Sequence, residues 1–293
     1  MFQQKSFEPQ STGTLYLVPT PIGNLEDMTF RAIRLLKEVD LIASEDTRNT
    51  QKLLNHFDVH TSQISFHEHN SQERIGQLID RLEDGQDIAQ VSDAGMPSIS
   101  DPGHDLVVAC IEAGISVVPL PGANAALTAL IASGLSPQPF YFYGFLPRKK
   151  KDQVEALEEL NLRPETFILY ESPHRLKEVL KNMSTVLGET RKIVLCRELT
   201  KRYEEFIRGT IEEVQEWAQN TEIRGEFCVI VEGNSESSLC PEEDMSWQKW
   251  TVREHVTQVM EEQRLRSKEA IKEVAKIRAM KKQEVYSHYH EIN

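Results

Sequence analysis

The sequence is short of cationic residues, of cysteine and of long apolar runs, and each shortage removes a class of protein. Its 33 Lys and Arg stand against 46 Asp and Glu, a formal net charge of −13. A chain of that sign is not coated in positive potential, so any contact with nucleic acid has to be local. Only four cysteines occur, Cys110, Cys196, Cys228 and Cys240, and none forms a CxxC pair. That spacing excludes the usual zinc and redox motifs, and no metal site is expected. The first three lie in apolar runs and read as buried thiols of a reducing compartment. No apolar run approaches the ~20 residues of a membrane span. Residues 1–12 are polar and lack the apolar core of a signal peptide, so the expectation is a cytoplasmic protein without membrane contact. Two nucleotide-binding signatures are also missing: no G-x-G-x-x-G follows the first strand, and G-x-x-x-x-G-K-[ST] occurs nowhere. An ordinary dinucleotide dehydrogenase and a P-loop NTPase are thereby disfavoured.

What is present is a long alternation of strand and helix patterns. A chain of 293 residues suits two α/β domains or one large one. From Gly13 the sequence reads as strand TLYLVPT, turn PIGNLED and a helix over about 29–39, with Ile33, Leu35, Leu36 and Val39 on its apolar side. Strand DLIASED, a helix through 51–57, a polar His-bearing loop at 66–70, a helix over 71–83 and strand DIAQVSD follow. A helix over 103–113, strand ISVVPL, turn PGAN and a helix over 125–133 complete the first half. Repeated βα units favour a largely parallel sheet with helices on both faces.

The stretch GLSPQPFYFYGFLPRKKK, with three prolines, reads as the link to the second half, its alternating aromatics having the period of a strand. A second α/β pattern starts near Glu165: strand TFILYES, helix 174–187, strand KIVLCREL, a helical piece around 210–218, and strand EFCVIVEG. Residues 235–246 are polar and read as another linker. Beyond them 247–293 look helical throughout, with Ala270, Ile271, Val274, Ala275 and Ile277 as an apolar stripe. The expected divisions are a flexible N-terminus over 1–12, α/β domains over 13–138 and 139–236, and a linker with helical tail over 237–293.

In open parallel sheets, ligands bind where loops leave the carboxyl ends of strands. Three loops here hold that place and are rich in Gly and Pro: 19–24 (PTPIGN), 92–103 after the third strand of this reading, and 121–124 (PGAN). Small residues let a ligand approach the backbone, whose amides can meet its polar atoms. Any one of them could be an ordinary tight turn, but three in one domain point to a small-molecule cleft.

Charge is distributed unevenly. The last 49 residues carry ten Lys and Arg against seven acidic residues, leaving −16 on the preceding 244. Within that acidic body lies one compact basic run, Arg148, Lys149, Lys150 and Lys151. It reads either as a phosphate-binding patch or as a solvated loop. In the tail, Lys268, Lys272, Lys276, Arg278, Lys281 and Lys282 pose the same choice.

Nine short motifs, taken in order, resemble one family. They are VPTPIGNLEDMTFRA, ASEDTRNTQKLL, FHEHN, VSDAGMPSISDPG, PLPGANAALTAL, FYGFLP, YESPHR, CRELTK and GEFCVIVEG, running from Val18 to Gly233. Together they resemble the tetrapyrrole methylase superfamily, and within it the ribosomal RNA small subunit methyltransferase I group. The resemblance implies two α/β domains of the tetrapyrrole methylase type with a cleft between them, plus a small C-terminal helical tail. It implies S-adenosyl-L-methionine as cofactor, a homodimer, and 2′-O-methylation of a cytidine in the decoding region of small-subunit ribosomal RNA, as RNA or as the 30S subunit.

Carried over by position, the resemblance places the cofactor against Pro21 and Gly23 of the first loop and Asp93, Gly95, Met96 and Ser98 of the second. It adds Ala123, Asn124 and Ala125 of the third loop, Tyr170, and the Gly225–Glu226 turn. Asn124 stands where relatives often carry Ser or Cys, which weakens the carry-over there; Ser92-Asp93-Ala94 replaces the superfamily's usual G-D-P turn, as is normal for this subgroup. For the proton of the reacting hydroxyl the sequence offers Glu45 and Asp46 at a strand end, with Arg48 to hold phosphate. Asp46 reads equally as a helix N-cap, and His67 and His69 read as either further bases or plain loop residues. Two rival functions remain at this stage: carbon methylation of a tetrapyrrole, and a non-catalytic RNA-binding assembly factor.

Overall fold

The computed structural model describes residues 3–6, 8, 11–68, 70–100, 103–234, 250–263, 265–278 and 280–290. His69, Cys240 and the expected linker over 235–246 lie outside the described residues. Residues 1–235 make one folded unit and 236–293 a second.

Ten strands and eleven helices are formed among the described residues. The first sheet contains β1 (Thr14–Leu17), β2 (Leu41–Ser44), β3 (Gln63–Ser65), β4 (Ile88–Val91) and β5 (Ser116–Pro119), all parallel, in the order β3-β2-β4-β1-β5. Burial on both faces explains why β2 and β4 are buried along their whole length. One face is covered by α1 (Phe30–Glu38) and α2 (Thr47–His56) through Ala32, Leu35, Leu36 and Leu54. The other is covered by α3 (Ser71–Glu83) and α4 (His104–Glu112) through Leu78, Leu82, Leu106 and Cys110. Thr29 caps α1, its side chain accepting from the Ala32 amide at 3.1 Å, so the helix begins where the sequence places it. At the N-terminus, Gln4 exchanges two hydrogen bonds with the Val117 backbone, tying that segment to β5.

Strand β3 is absent from the sequence reading. It has three half-buried residues, too few for a period-2 pattern to register. Its presence makes the VSDAGMPSISDPG loop the exit of the fourth strand.

The second sheet is mixed, in the order β6-β7-β10-β8-β9, with only β6 and β7 parallel. Its strands are β6 (Phe140–Phe145), β7 (Thr166–Glu171), β8 (Lys192–Arg197), β9 (Glu205–Thr210) and β10 (Phe227–Val231). On one face pack α6 (Lys150–Asn161), α7 (Leu176–Leu187) and α8 (Ile211–Asn220), the last opened by a Thr210–Glu213 capping box. Helix α6 grows directly out of the basic run, so that run is a helix start rather than the end of a linker. The other face is covered by α5 (Ala125–Ser133), whose Ala126, Ala129 and Leu130 pack with Ile168, Val194, Cys228 and Ile230. In sequence α5 closes the first βα run; in space it belongs to the second sheet.

The second unit is not one continuous helix. It contains α9 (Val252–Gln263), α10 (Ser267–Ile277) and α11 (Lys282–His290), joined around a core of Val256, Val259, Ile271, Val274 and Val285. No helix of the described residues is long and apolar enough to cross a membrane.

Leu130 is 2% exposed within the α5 contact. Leu130→Ala should lower unfolding free energy by about 2–5 kcal/mol, the range for a large-to-small change in a packed core. Urea unfolding of the full chain measures this, and a loss below about 1 kcal/mol would mean that α5 is loosely docked.

Candidate active-site cleft

In the first sheet the order of the connections reverses between the neighbouring strands β1 and β4. Their exit loops turn away on opposite faces and leave a crevice at their carboxyl ends, where parallel sheets bind ligands. The two loops are stitched together there. Thr20 and Gly95 exchange backbone hydrogen bonds of 2.9 and 3.0 Å, and the Thr20 hydroxyl donates to the Ser92 carbonyl at 3.1 Å. Gly95 sits at φ +80°, a conformation side-chain-bearing residues avoid. Ser98 and Ser100 nonetheless hold φ of 72° and 63°, as Glu198 and Thr200 of the loop after β8 hold 51° and 66°. Such strain persists where the surroundings over-determine it, and these four residues all lie in loops at the cleft.

The loops enclose a cavity of about 460 Å³, in the size range of small-molecule sites. Six of the positions expected from sequence line it: Gly95, Met96, Asn124, Ala125, Tyr170 and Glu226. Asn124 also caps α5, its Oδ1 accepting from the Leu127 amide at 3.0 Å. Pro21, Gly23 and Asp93 instead line a second cavity of about 250 Å³ on the far side of the first loop. Ser98, Ala123 and Gly225 line neither. The Ser98 hydroxyl is buried without a hydrogen-bond partner, the Ala123 carbonyl backs Gly95, and Gly225, at φ +84°, leaves room for the Glu198 side chain.

Other lining residues were not singled out by sequence. Ile22, Cys196, Leu199 and Cys228 supply an apolar wall. Burial raises the Cys110 and Cys196 thiols to about 12 and that of Cys228 well above its usual value, so all three stay protonated. Phe145 enters through a bulge. The β6–β7 register slips between Phe142 and Gly144, Gly144 taking φ +84°, and the slip brings Phe145 to the cavity beside Tyr170, ring centres 5.6 Å apart.

Lys201 bridges two carboxylates, Glu198 at 2.9 Å and Glu226 at 2.8 Å. Burial works against its charge, and the hydrogen bonds to Glu226 and Glu198 more than reverse this, so its pKa is raised. The Lys201 stem lies where a Cβ on Gly23 would fall, which brings the CRELTK loop of the second sheet against the first loop. The signal for this loop was present: four polar residues, Arg197, Glu198, Thr200 and Lys201, close an otherwise apolar strand.

Glu171 is 3% exposed. It accepts from the Ser172 amide at 2.7 Å and lies 3.5 Å from Arg175, which donates to the Leu146 and Pro147 carbonyls. Burial raises its pKa. The YESPHR motif thus ties the end of β6 to the end of β7.

The two carboxylates expected to act as bases have different surroundings. Asp46 is the N-cap of α2: its Oδ1 accepts from the Arg48 amide at 2.8 Å and from Arg48 Nε at 3.1 Å, and its Oδ2 from Arg48 Nη2 at 2.7 Å. The Arg48 side chain and amide hold its pKa down to about 2. Such a carboxylate is a weak proton acceptor, and Arg48 spends its guanidinium on Asp46. Glu45 accepts only the Asp93 amide, at 3.1 Å, among the described hydrogen bonds. Asp93 in turn accepts from the Asp46 amide at 3.2 Å and from Asn49 at 3.0 Å, linking the exits of β2 and β4. In the 66–70 loop the Asn70 side chain holds the His67 amide at 2.9 Å.

Arg148, Lys149, Lys150 and Lys151 are all exposed. They lead into α6, with Lys149 at the N-cap and Lys150 and Lys151 in the first turn, where positive charge opposes the helix dipole; Asp152 lies in the same turn and Glu155 stands 3.6 Å from Lys151.

Comparison with known proteins gives a consistent picture. The family described as Tetrapyrrole (Corrin/Porphyrin) Methylases matches residues 14–215. The Ribosomal RNA small subunit methyltransferase I of Halalkalibacterium halodurans is 56% identical over 289 residues, 99% of each chain. Among solved structures, a cobalt precorrin-4 methyltransferase of cobalamin biosynthesis covers 78% of this chain and 98% of its own, with a TM-score of 0.58 at 19% identity. The uroporphyrin-III C-methyltransferase of Thermus thermophilus, complexed with S-adenyl homocysteine, covers 75% of this chain and 97% of its own, with a TM-score of 0.54 at 20% identity. The two structures share the fold.

Because Asp46 is held below its ordinary value of 3.8, the Asp46–Arg48 contribution to stability is complete above that value and is lost as pH falls toward 2. A carbon-detected NMR titration should place the Asp46 midpoint near 2, and Arg48→Ala should move it upward. A midpoint indifferent to that substitution would contradict the pairing.

Proposed function

Because the chain belongs to the tetrapyrrole (corrin/porphyrin) methylase family, and within it to the ribosomal RNA small subunit methyltransferase I group, we propose that it transfers a methyl group from S-adenosyl-L-methionine to the ribose 2′-hydroxyl of a cytidine in the decoding region of small-subunit ribosomal RNA. The observation that carries this reading is the 56% identity sustained over 99% of both chains. The substrate implies a cytoplasmic site of action.

The larger cavity fits the cofactor in size and in chemistry. An adenine ring and a thioether chain need apolar walls, which Ile22, Leu199 and the neutral thiols of Cys196 and Cys228 provide. An ammonium needs acceptors and a carboxylate needs donors. Glu226, the Asn124 side chain and Lys201 line the same space, and the absent side chain of Gly95 opens the loop backbone to close approach. On this reading Gly95, Met96, Asn124, Ala125, Tyr170 and Glu226 hold the cofactor directly. Pro21, Gly23, Asp93, Ser98, Ala123 and Gly225 shape the loops around it. Bound there, S-adenosyl-L-methionine supplies an electrophilic sulfonium methyl group with a neutral leaving group.

The chain's own contribution is then positioning, exclusion of water and removal of one proton. Of the two strand-end carboxylates, Glu45 is assigned the proton-accepting role, since both oxygens of Asp46 are engaged by Arg48. Asp46 and Arg48 instead hold the shape of the loop after β2. Arg148, Lys149, Lys150 and Lys151 are assigned to RNA phosphates: they concentrate positive charge at a helix start on an acidic body. Homodimerisation belongs to the same reading. Helix α5 is apolar on all sides, and its outward Leu127 and Ile131 are 48% and 80% exposed.

Calorimetry should show saturable S-adenosyl-L-methionine binding, and ribose-methylation mapping should reveal one small-subunit cytidine that loses its mark when the gene is deleted. Unchanged methylation everywhere would overturn the RNA assignment. Changing Lys149, Lys150 and Lys151 together to Glu should weaken RNA association and flatten its salt dependence. For the dimer, Ile131→Glu should shift sedimentation to the monomer; a wild-type chain that already sediments as a monomer would refute it.

A further inference from the structure

The methyl-donor site leaves the smaller cavity without a role. Of about 250 Å³, it is lined by the first loop, by Ser92 and Asp93 of the second and by α2, and consecutive residues of both loops are divided between it and the larger cavity. Along the first loop Pro21 and Gly23 face the smaller cavity while Ile22 between them faces the larger; in the second, Asp93 faces one and Ala94 the other. The paired Thr20–Gly95 hydrogen bonds fix this partition. Whatever occupies the smaller cavity is therefore a direct neighbour of whatever occupies the larger.

We propose that the smaller cavity seats one unstacked nucleobase of the RNA strand; this rests on the RNA-methyltransferase reading above and assigns its nucleotide subsite. Proteins that read RNA commonly draw single bases out of the stack into pockets that meet the base edge with hydrogen bonds. The lining has that mixed character. Thr50, 4% exposed, lines the cavity and its hydroxyl has no hydrogen-bond partner. The Asp93 carboxylate stands on the same wall; each oxygen accepts one hydrogen bond, from the Asp46 amide and from Asn49, and keeps a lone pair for an exocyclic amino group. Leu25 and Leu53 offer apolar surface to a ring, and Lys52 is exposed at the rim, where the flanking phosphates would pass. The volume suits one base and is too small for a tetrapyrrole macrocycle.

The test uses the full chain with undermethylated small ribosomal subunits as substrate. Thr50→Val removes the hydroxyl at constant shape, and Leu25→Trp covers the cavity from an exposed position. Each should lower kcat/KM for the subunit by about tenfold or more, the effect of roughly one lost hydrogen bond. Affinity for S-adenosyl-L-methionine by calorimetry and the melting temperature should stay at wild-type values. Should Thr50→Val fold poorly, Leu25→Trp decides alone. Unchanged kcat/KM in the folded variants, beside an active wild-type chain, would overturn this proposal and leave the functional reading intact. A matching loss of cofactor affinity would assign the cavity to the methyl donor, and a defect that disappears at high salt would mark a phosphate subsite; either overturns the base assignment. A wild-type chain that transfers no methyl group to the subunit would overturn the functional reading and this one with it.

Discussion

The burial of α5 on the second sheet is the contact on which the cleft depends. This helix is covalently the last element of the first βα run, yet its Ala126, Ala129 and Leu130 pack among Ile168, Val194, Cys228 and Ile230. Alanines let the helix lie close to the strands. Arg208 on β9 completes the attachment by donating to the Ala132 and Ser133 carbonyls at the helix end, at 2.7 and 3.3 Å. Because Asn124 caps the other end, docking α5 also fixes the third loop against the cavity. One apolar helix thus joins the end of the first βα run to the second sheet and positions a binding loop.

Around that fixed point the loops are built largely from backbone. The partition between the two cavities carries Gly23 and Gly95, and a side chain at Gly23 would collide with Lys201. Left-handed conformations at Ser98, Ser100, Glu198 and Thr200 gather at this cleft from both halves of the body. Charge is kept close to a partner: Lys201 between Glu198 and Glu226, Asp46 with Arg48, Glu171 near Arg175. The cavity lining carries both signs, Lys201 beside Glu171, Glu198 and Glu226, so a cofactor with an ammonium and a carboxylate meets a partner for each.

Much of the first half could be read from the chain because local signals agreed there. The Thr29 cap, the apolar stripe of α1 and the spacing of α3 and α5 put these three helices within a residue of their observed limits, while α2 begins at Thr47, four residues before the helix read from the sequence. Elements whose stability is not local were missed. Strand β3 has three half-buried residues, and β9 is an edge strand of intermediate burial whose partner, β8, is the only pairing that fixes it. Helix α6 was hidden by the basic run at its start, and the tail, read as continuous, is broken twice to close its own small core.

At the cleft, sequence determined the kind of site and tertiary structure determined its members. Gly- and Pro-rich loops at strand ends, in a fixed order of motifs, specify where a ligand can approach backbone, since those residue types restrict conformation locally. Which side chains face that ligand depends on contacts distant in sequence. Residues that turn to opposite sides of one loop, as Ile22 and Gly23 do, are neighbours in sequence but belong to different cavities. The bulge at Gly144 brings Phe145 in, and the docking of α5 brings Asn124 in. Each is a consequence of packing between segments far apart in the chain, which no local pattern encodes.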